Sequence, residues 1–356
     1  MGYILTKEDI IRISPSSFRV DKYIKELEEL NLLPITYDSP KLLILARMAG
    51  ALMTDGNLYD CRKNNFRETS FTLGQKSDVD EVVKDIKLLG FKKFRFGKKI
   101  SKCNIQGRRF TMNCYWIKVT STSFWLLFRG LGVPAGNKTK QGYNIPECIL
   151  NSSKRVKKEF LAGFLGGDGP KVTIKMEKRP KREDFNSLNI NDIEFRKIKE
   201  KESDGLDFAK QIGKLLEEFG IKINKIFSVK DKIPKQDGTF SSIIHIRISS
   251  SVESAYNYIN IGYSYCNQKR EAVINVKKFL EIILDKRIKW VNLHKIAKEK
   301  FYKGETIKNI SNDLGIDYGA VFGWLRYNKR PTIQKHYLKF DKWVKEENKN
   351  GCSNIN

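Results

Sequence analysis

The sequence predicts an α+β protein made of two copies of one unit, followed by a small all-α domain. Three observations predict it. An apolar, small-residue helix running into Asp-Gly occurs twice, at Met48–Gly56 and Phe160–Gly169, so that Asp55 and Asp168 stand 113 residues apart. After each copy the pattern recurs, and each unit reads helix, two strands, helix, two strands, helix. Beyond residue 287 the strand-like alternation stops and helical stripes remain. The expected divisions are a helical segment over 1–39, units over 40–150 and 151–287, and the all-α domain over 288–356.

Each element has its own signal. Tyr23, Ile24, Leu27 and Leu30 recur at helical spacing between Asp21 and Asn31, and Leu33-Pro34 ends that helix. A helix resumes after Pro40 and carries the first Asp-Gly. Phe66–Lys76 alternates as a strand, and Asp78–Leu89 is helical up to Gly90, which suits a left-handed cap. Strands over Phe91–Lys98 and Arg109–Thr120 lead to a helix at Ser123–Leu131 and a turn at Gly132–Lys138. The second unit repeats this with strands at Lys171–Met176 and Leu188–Ile198, a helix at Leu206–Phe219, and strands at Lys222–Val229 and Phe240–Ser249. Its turn Gly262–Lys269 echoes the first. A helix at Lys269–Asp285 is followed by a separate one at Trp290–Tyr302. Ile307, Ile310 and Leu314, the turn Gly315-Ile316-Asp317, and then Val321, Trp324 and Leu325 have the sequence form of a helix-turn-helix.

Composition narrows the function. With 67 Lys and Arg against 41 Asp and Glu, the net charge of +26 points to a polyanionic partner. Nucleic acid leads and a membrane surface is the rival, although the basic residues are spread along the chain rather than gathered in one amphipathic helix. No run is apolar enough to span a membrane, and Met1–Lys7 lacks a signal-peptide layout, so a cytoplasmic protein is expected. Six cysteines without a CxxC pair argue against a zinc site or a disulfide framework. His245, His294 and His336 leave little room for histidine-centred chemistry.

Alternation within the strands gives each sheet one buried face and one basic, hydrogen-bonding face. Lys93, Arg95 and Lys118 in the first unit, and Lys171, Thr173, Lys175, Arg196, Lys197, His245 and Arg247 in the second, are the candidate contacts to duplex DNA. A solvated sheet face is the plainer alternative. In the tail Tyr318, Arg326, Lys329 and Arg330 are placed to meet DNA, against the alternative of a small helical domain with no such role.

Small residues repeat along both Asp-Gly helices: Ala46, Gly50 and Thr54 in the first, Ala162 with Gly166 and Gly163 with Gly167 in the second. Such rows let two helix backbones approach closely. Packing these helices together would set Asp55 and Asp168 side by side at two helix C-termini, an arrangement that a hard cation with oxygen ligands relieves. A cation between paired carboxylates and a phosphate suits phosphodiester hydrolysis.

Both segments resemble the defining motif of the LAGLIDADG homing endonucleases, in particular the two-motif monomers and the archaeal and intein-encoded branches. The likeness runs from about Leu30 to Arg287 and includes Leu32-Leu33-Pro34-Ile35, Gly74-Gln75-Lys76-Ser77, Gly136-Asn137-Lys138 and Asn144-Ile145-Pro146. The resemblance implies a monomer in which a pseudo-twofold pair of αββαββα units forms a saddle over double-stranded DNA, with a long, weakly symmetric target. It implies Mg2+, or Mn2+ as a substitute, held by Asp55 and Asp168 with the carbonyls of Thr54 and Gly167. It further implies that Gln75, with Lys76 beside it, positions water, and that Lys138 (with Lys140 close by) and Lys269 are the central lysines of the two halves. The second-half counterpart of Gln75 stays open among Arg196, Lys197 and Lys199.

The function so implied is a site-specific endonuclease making double-strand breaks, encoded within a mobile intron or intein. The alternatives are a catalytically inactive regulator that joins this fold to a helix-turn-helix, and an RNA maturase. Met1 in place of Cys or Ser, and Ile355-Asn356 without a preceding His, lead to the expectation of a free-standing enzyme rather than a splicing one.

Overall fold

A computed structural model describes residues 2–14, 17–61, 66–105, 108–179, 182–231, 240–331 and 338–352; His336 lies outside them. In chain order the elements are β1 (Tyr3–Leu5), α1 (Lys7–Ile13), α2 (Val20–Glu29), β2 (Ile35–Thr36), α3 (Leu42–Met53), β3 (Asn57–Cys61), β4 (Phe66–Leu73), α4 (Lys76–Leu89), β5 (Arg95–Ile105), β6 (Arg108–Val119), α5 (Thr122–Gly130), α6 (Glu147–Leu150) and α7 (Lys154–Gly167). There follow β7 (Val172–Arg179), β8 (Arg182–Ile190), β9 (Ile193–Ile198), α8 (Glu202–Glu217), β10 (Ile223–Lys230), β11 (Ser241–Ile248), α9 (Val252–Ile261), α10 (Asn267–Tyr302), α11 (Ile307–Leu314), α12 (Tyr318–Arg326) and α13 (Phe340–Cys352). The fold is α+β, and its sheets are antiparallel. By contacts the chain forms two compact units, one of Met1–Lys171, Ile190–Ser249 and Asn257–Ala272, the other of Val172–Asn189, Ser250–Tyr256 and Val273–Asn356.

The first unit holds both Asp-Gly helices, the small β1-β2 pair and two larger sheets. Helix α3, Leu-Leu-Ile-Leu-Ala-Arg-Met-Ala-Gly-Ala-Leu-Met, is apolar on nearly every side because nearly every side is buried. The sheet β3-β4-β6-β5 follows it, with Ser70, Lys118 and Arg95 in register across three strands on the face away from buried Phe71 and Ile117. Gly90 ends α4 in the left-handed conformation, φ +103°. The second half repeats the order with the sheet β10-β11-β9, whose Ile244 and Ile246 are buried on the same sheet as α8 covers with Phe208, Ile212 and Leu216.

Four local expectations are corrected. Strand β3, directly after the first Asp-Gly, carries no long alternation and was not foreseen. The strand expected over Leu188–Ile198 is interrupted at Asn191-Asp192, and β8 pairs with β7 in a hairpin of its own while β9 joins β11. The strand expected over Phe91–Lys98 begins only at Arg95, as the edge strand β5, so Lys93 precedes it, and Phe96, in register with buried Ile117, is 56% exposed. The two helices expected at Lys269–Asp285 and Trp290–Tyr302 are one 36-residue helix, α10, since neither Gly nor Pro interrupts it.

The second unit contains the β7-β8 hairpin, most of α10 and the last three helices. Asn186 on β8 donates its side-chain amide to the Leu338 carbonyl at 2.6 Å and accepts from the Phe340 N–H at 3.0 Å, which docks α13. Helices α11 and α12 meet at Gly315, φ +60°, with Thr306 and Asp317 as their N-caps. Ala297, Ile307, Ile310, Ile316, Val321 and Trp324 form their core, and Trp290 meets Trp324 edge-on at 5.4 Å. Trp324→Ala is expected to destabilise this unit by about 3–5 kcal/mol, measured by chemical denaturation followed through tryptophan fluorescence. No helix among the described residues is long and apolar enough to cross a membrane.

Candidate active site

Close packing of α3 against α7 creates the site. A methyl group on Gly50 would run into the carbonyl oxygen of Phe160, one on Gly163 into that of Arg47, and one on Gly167 into the Thr54 side chain. The two backbones are therefore in direct contact, with no side chain between them. Gly166, from the neighbouring row, abuts the Ser264 carbonyl instead. Of the two rows in the second helix, Gly163 and Gly167 face α3.

The close approach brings the two helix ends together. Asp168 is the C-cap of α7, while Asp55 follows Thr54, the C-cap of α3. A Cβ on Gly167 would lie 3.2 Å from Asp55 Oδ2, so the Asp55 carboxylate rests against the last turn of α7. Asp55 keeps a side open to solvent, and Asp168 is half-buried. A cavity of about 60 Å³ opens beside Asp55, lined by Thr54, Gly74, Gly167, Tyr265 and Cys266 among others.

Two lysines close the helix ends in the same way. Lys138 Nζ donates to the carbonyls of Leu52 at 3.0 Å, Gly56 at 2.6 Å, and Thr54. Lys269 Nζ donates to Leu165 at 3.1 Å, Gly166 at 2.8 Å and Gly167 at 2.6 Å. Ammonium groups at helix C-termini satisfy carbonyls that have no partner within the helix and offset the negative end of the dipole. Each lysine thus caps the helix that ends in its own half's aspartate.

Burial and the Asp55 charge push the Asp168 carboxyl up to about 7, and the two ammonium groups oppose that rise. Burial raises Asp55 too, with Lys269 and Lys138 pulling it back. Burial drops the Lys138 amine to about 8 and lowers Lys269; the two carboxylates oppose the drop at Lys138, and Cys266 followed by the carboxylates opposes it at Lys269. Two acids and two amines are therefore crowded into a place where water solvates charge poorly.

The site offers hard oxygen donors: two carboxylates and the main-chain carbonyls of Thr54 and Gly167, each of which keeps a lone pair after accepting from its lysine. This donor chemistry fits Mg2+ or Mn2+. Among the described residues no cluster of three or more His, Cys, Asp or Glu is placed to hold a metal, so a cation here would complete its shell with water or phosphate oxygens.

Other sequence-derived candidates fall in several places. Gln75 N-caps α4, its N–H bonded to Asp78 Oδ2 at 3.0 Å, directly after cavity-lining Gly74; Lys76 beside it is exposed. Arg95 is exposed at the start of the edge strand β5 and Lys93 is exposed ahead of it, and Lys118 pairs with Glu68 at 2.9 Å on the open sheet face. On the second sheet Arg196 pairs with Asp231 at 3.1 Å and Arg247 with Asp192 at 2.9 Å, while His245 stacks on Phe227 at 4.7 Å. Lys171 is exposed ahead of β7, and Thr173 and Lys175 lie on β7 in the second unit. Tyr318 is 50% exposed at the start of α12, and Arg326, Lys329 and Arg330 are exposed at and after its end. Lys197 is 1% exposed: its ammonium points inward, donating to the carbonyls of Lys138 and Gln141, each at 2.8 Å, over the Tyr143 ring.

Sequence reasoning passed over the polar network behind the motif helices. Arg47 binds Asp85 through Nε and Nη2, both at 2.9 Å, and Glu159 on α7 at 2.6 Å; Tyr265 OH donates to the same Asp85 carboxylate. The signal was present, for Arg47 is the one charged residue in an otherwise apolar helix. Tyr143, its hydroxyl pushed up by burial and then by the Asp168 charge, was also passed over.

No family model matches the chain. The replication factor C small subunit of Methanocaldococcus jannaschii is 26% identical over 333 residues, covering 92% of this chain and 16% of that protein. The RNA polymerase subunit Rpo1N of the same organism is 30% identical over 341 residues, covering 92% and 21%. The tRNA-splicing ligase RtcB of Pyrococcus furiosus is 28% identical over 363 residues, covering 97% and 34%. The chain therefore spans 16–34% of the length of these curated relatives. Among solved structures, the homing endonuclease I-WcaI bound to its DNA recognition sequence matches with TM-score 0.35 and 14% identity over 74% of this chain and 94% of that one. The N-terminal LAGLIDADG domain of DUF199/WhiA matches with TM-score 0.28 and 13% identity over 67% and 90%. At such scores neither structure bears on what this chain does.

Proposed function

We propose that the chain is a LAGLIDADG-type, metal-dependent DNA endonuclease that cuts both strands of a specific duplex. The observation that carries this reading is the pairing of Asp55 and Asp168 at two interlocked helix ends, each closed by its own lysine. Two neighbouring carboxylates, Asp55 open to solvent on one side and Asp168 half-buried, with oxygen donors around them, suit a divalent cation and a phosphodiester. When bound, Mg2+ or Mn2+ would supply charge neutralisation at the phosphate and an activated water. Asp55 and Asp168 would hold the cation, Lys138 and Lys269 would balance the charge of the carboxylate pair, and Gln75, next to cavity-lining Gly74, would orient water. The reaction adds water across one P–O bond in each strand.

The comparisons lend a second kind of support. One stretch resembles parts of a replication factor, an RNA polymerase subunit and an RNA ligase, and spans a minor share of each. An element inserted into unrelated hosts has that distribution, whereas a domain performing any one host's task does not. We read the α11–α12 pair as a DNA-binding helix-turn-helix that extends the recognised site, with Tyr318, Arg326, Lys329 and Arg330 toward DNA.

The test is incubation of the purified chain with duplex DNA spanning its own gene's insertion-free flanking locus and Mg2+. A single linear double-strand product is expected; DNA left uncut in both Mg2+ and Mn2+ overturns the reading. Tight binding without cutting would instead identify a regulator. With a net charge of +26, binding to non-cognate duplex is expected to weaken steeply with salt. If six or more phosphates are contacted, the loss is about 10³-fold between roughly 50 and 200 mM, read by fluorescence anisotropy.

A further inference from the structure

Lys138 opens the short 3-10 turn Lys138–Lys140 and Lys269 lies in the first turn of α10, directly after the loop 262–266, and each keeps its ammonium within hydrogen-bond reach of three carbonyls. What holds those segments is a separate matter from what the lysines do. The segment carrying Lys269 belongs to the second half and is tied down by α4 of the first. Glu81 accepts from the Tyr265 N–H at 3.2 Å and from Arg270 at 2.9 Å; Asp78 accepts from the Asn267 N–H at 2.8 Å; Asp85 accepts from the Tyr265 hydroxyl. Tyr265 has φ +59°, a left-handed backbone that a residue with a side chain adopts only when its surroundings compel it. Its hydroxyl and its N–H both end on α4.

The segment carrying Lys138 belongs to the first half and is tied down by the second. Lys197 on β9 donates to the Lys138 and Gln141 carbonyls, both at 2.8 Å. Gln211 on α8 accepts from the Ile145 N–H and donates to Asn144, both at 2.8 Å. Lys197 is buried, with its ammonium 3.7 Å from the Tyr143 ring and both of its hydrogen bonds made to main-chain carbonyls, so it serves to hold main chain.

We infer that the two half-sites are cross-braced: Tyr265, through Asp85 and Glu81, positions Lys269 at the Asp168 helix end, and Lys197 positions Lys138 at the Asp55 helix end. Tyr265 and Lys197 are positioning residues: Tyr265 bonds to Asp85 and Glu81, and Lys197 to main-chain carbonyls, rather than to Asp55 or Asp168. The arrangement makes each half-site depend on the opposite half of the repeat. A half alone would present its aspartate with an unplaced lysine, and loosening one brace disturbs one helix end rather than both. The catalytic consequence rests on the nuclease reading; the mechanical one does not.

Two measurements on the full chain test it. In the absence of DNA and metal, hydrogen exchange of Tyr265→Phe is expected to speed at 263–270 by about ten-fold or more, with 138–141 unchanged. Lys197→Met is expected to do the reverse, and Lys197→Arg to restore protection. Exchange that rises equally in both segments, or in neither, overturns the brace. With target DNA and Mg2+, each variant is expected to cut one strand about ten-fold or more slowly, since small misplacements at a reacting centre are costly. Nicked circles should then accumulate, with opposite strands retained by Tyr265→Phe and Lys197→Met. Equal slowing of both strands contradicts strand-selective coupling. A wild-type chain that never cuts would remove the nuclease reading, and hydrogen exchange would still decide the brace.

Discussion

Asn in place of Asp55 or Asp168 is expected to abolish double-strand cleavage, with the rate falling by about 10³-fold or more, while duplex binding changes by less than a few-fold. The substitution keeps shape and removes one negative charge, so the effect isolates electrostatics from packing. In the apo protein that charge is a burden. Asp168 is pushed up to about 7 by burial and by Asp55, and burial raises Asp55 as well despite the two ammonium groups, so either amide removes a charge that is held at a cost in the folded chain. The variants should therefore be at least as stable as the parent without metal, and lack the thermal stabilisation that Mn2+ is expected to give the parent. Cleavage assays with both strands labelled, beside thermal melts with and without Mn2+, report the two halves of this expectation. Undiminished cutting by both variants would place the chemistry elsewhere.

The second large effect is structural. Gly163→Val is expected to cost about 3 kcal/mol or more and to lower the thermal midpoint by about 6–12 °C. The reason is where the new atoms must go: even a methyl group at position 163 collides with the Arg47 carbonyl, and backbone cannot rotate aside as a side chain can. Separating the helices to make room would break the Arg47–Glu159 pair at 2.6 Å and draw Asp55 away from Asp168. Gly74→Ala is the control, since its methyl would have only Asp78 nearby, at 3.9 Å, and should change stability by less than about 1 kcal/mol. Calorimetry on the two variants suffices, and a Gly163→Val protein as stable as its parent would contradict the backbone contact.

Much of this was legible from residue order because the signals are local. Gly90 and Gly315 ended helices where a left-handed residue was needed, and Ile244 and Ile246 alternated inward as a half-buried strand requires. The small-residue rows named both packed helices, and Asp-Gly named their ends. Other features resisted for equally physical reasons. Strand β3 is five residues long and draws its stability from pairing with β4, and β9 is defined by its bonds to β11. The continuity of α10 across Asp285-Lys286-Arg287 reflects the absence of any residue that would stop a helix, which a search for breaks in apolar spacing does not register.

The sequence by itself determined that two similar units occur in one basic chain, that each begins with a close-packing helix ending in acid, and that a lysine follows each at the end of a matching turn. Those are properties of spacing and composition. Tertiary structure alone decided which glycine row faces α3, that Lys197 turns inward while Arg196 stays at the surface, and that each lysine segment is held by the opposite half. Side chains such as Lys197 and Tyr265 take their roles from partners 59 and 180 residues away. Contacts of that separation leave no periodicity in the chain, because they are set by the closure of two helices on each other.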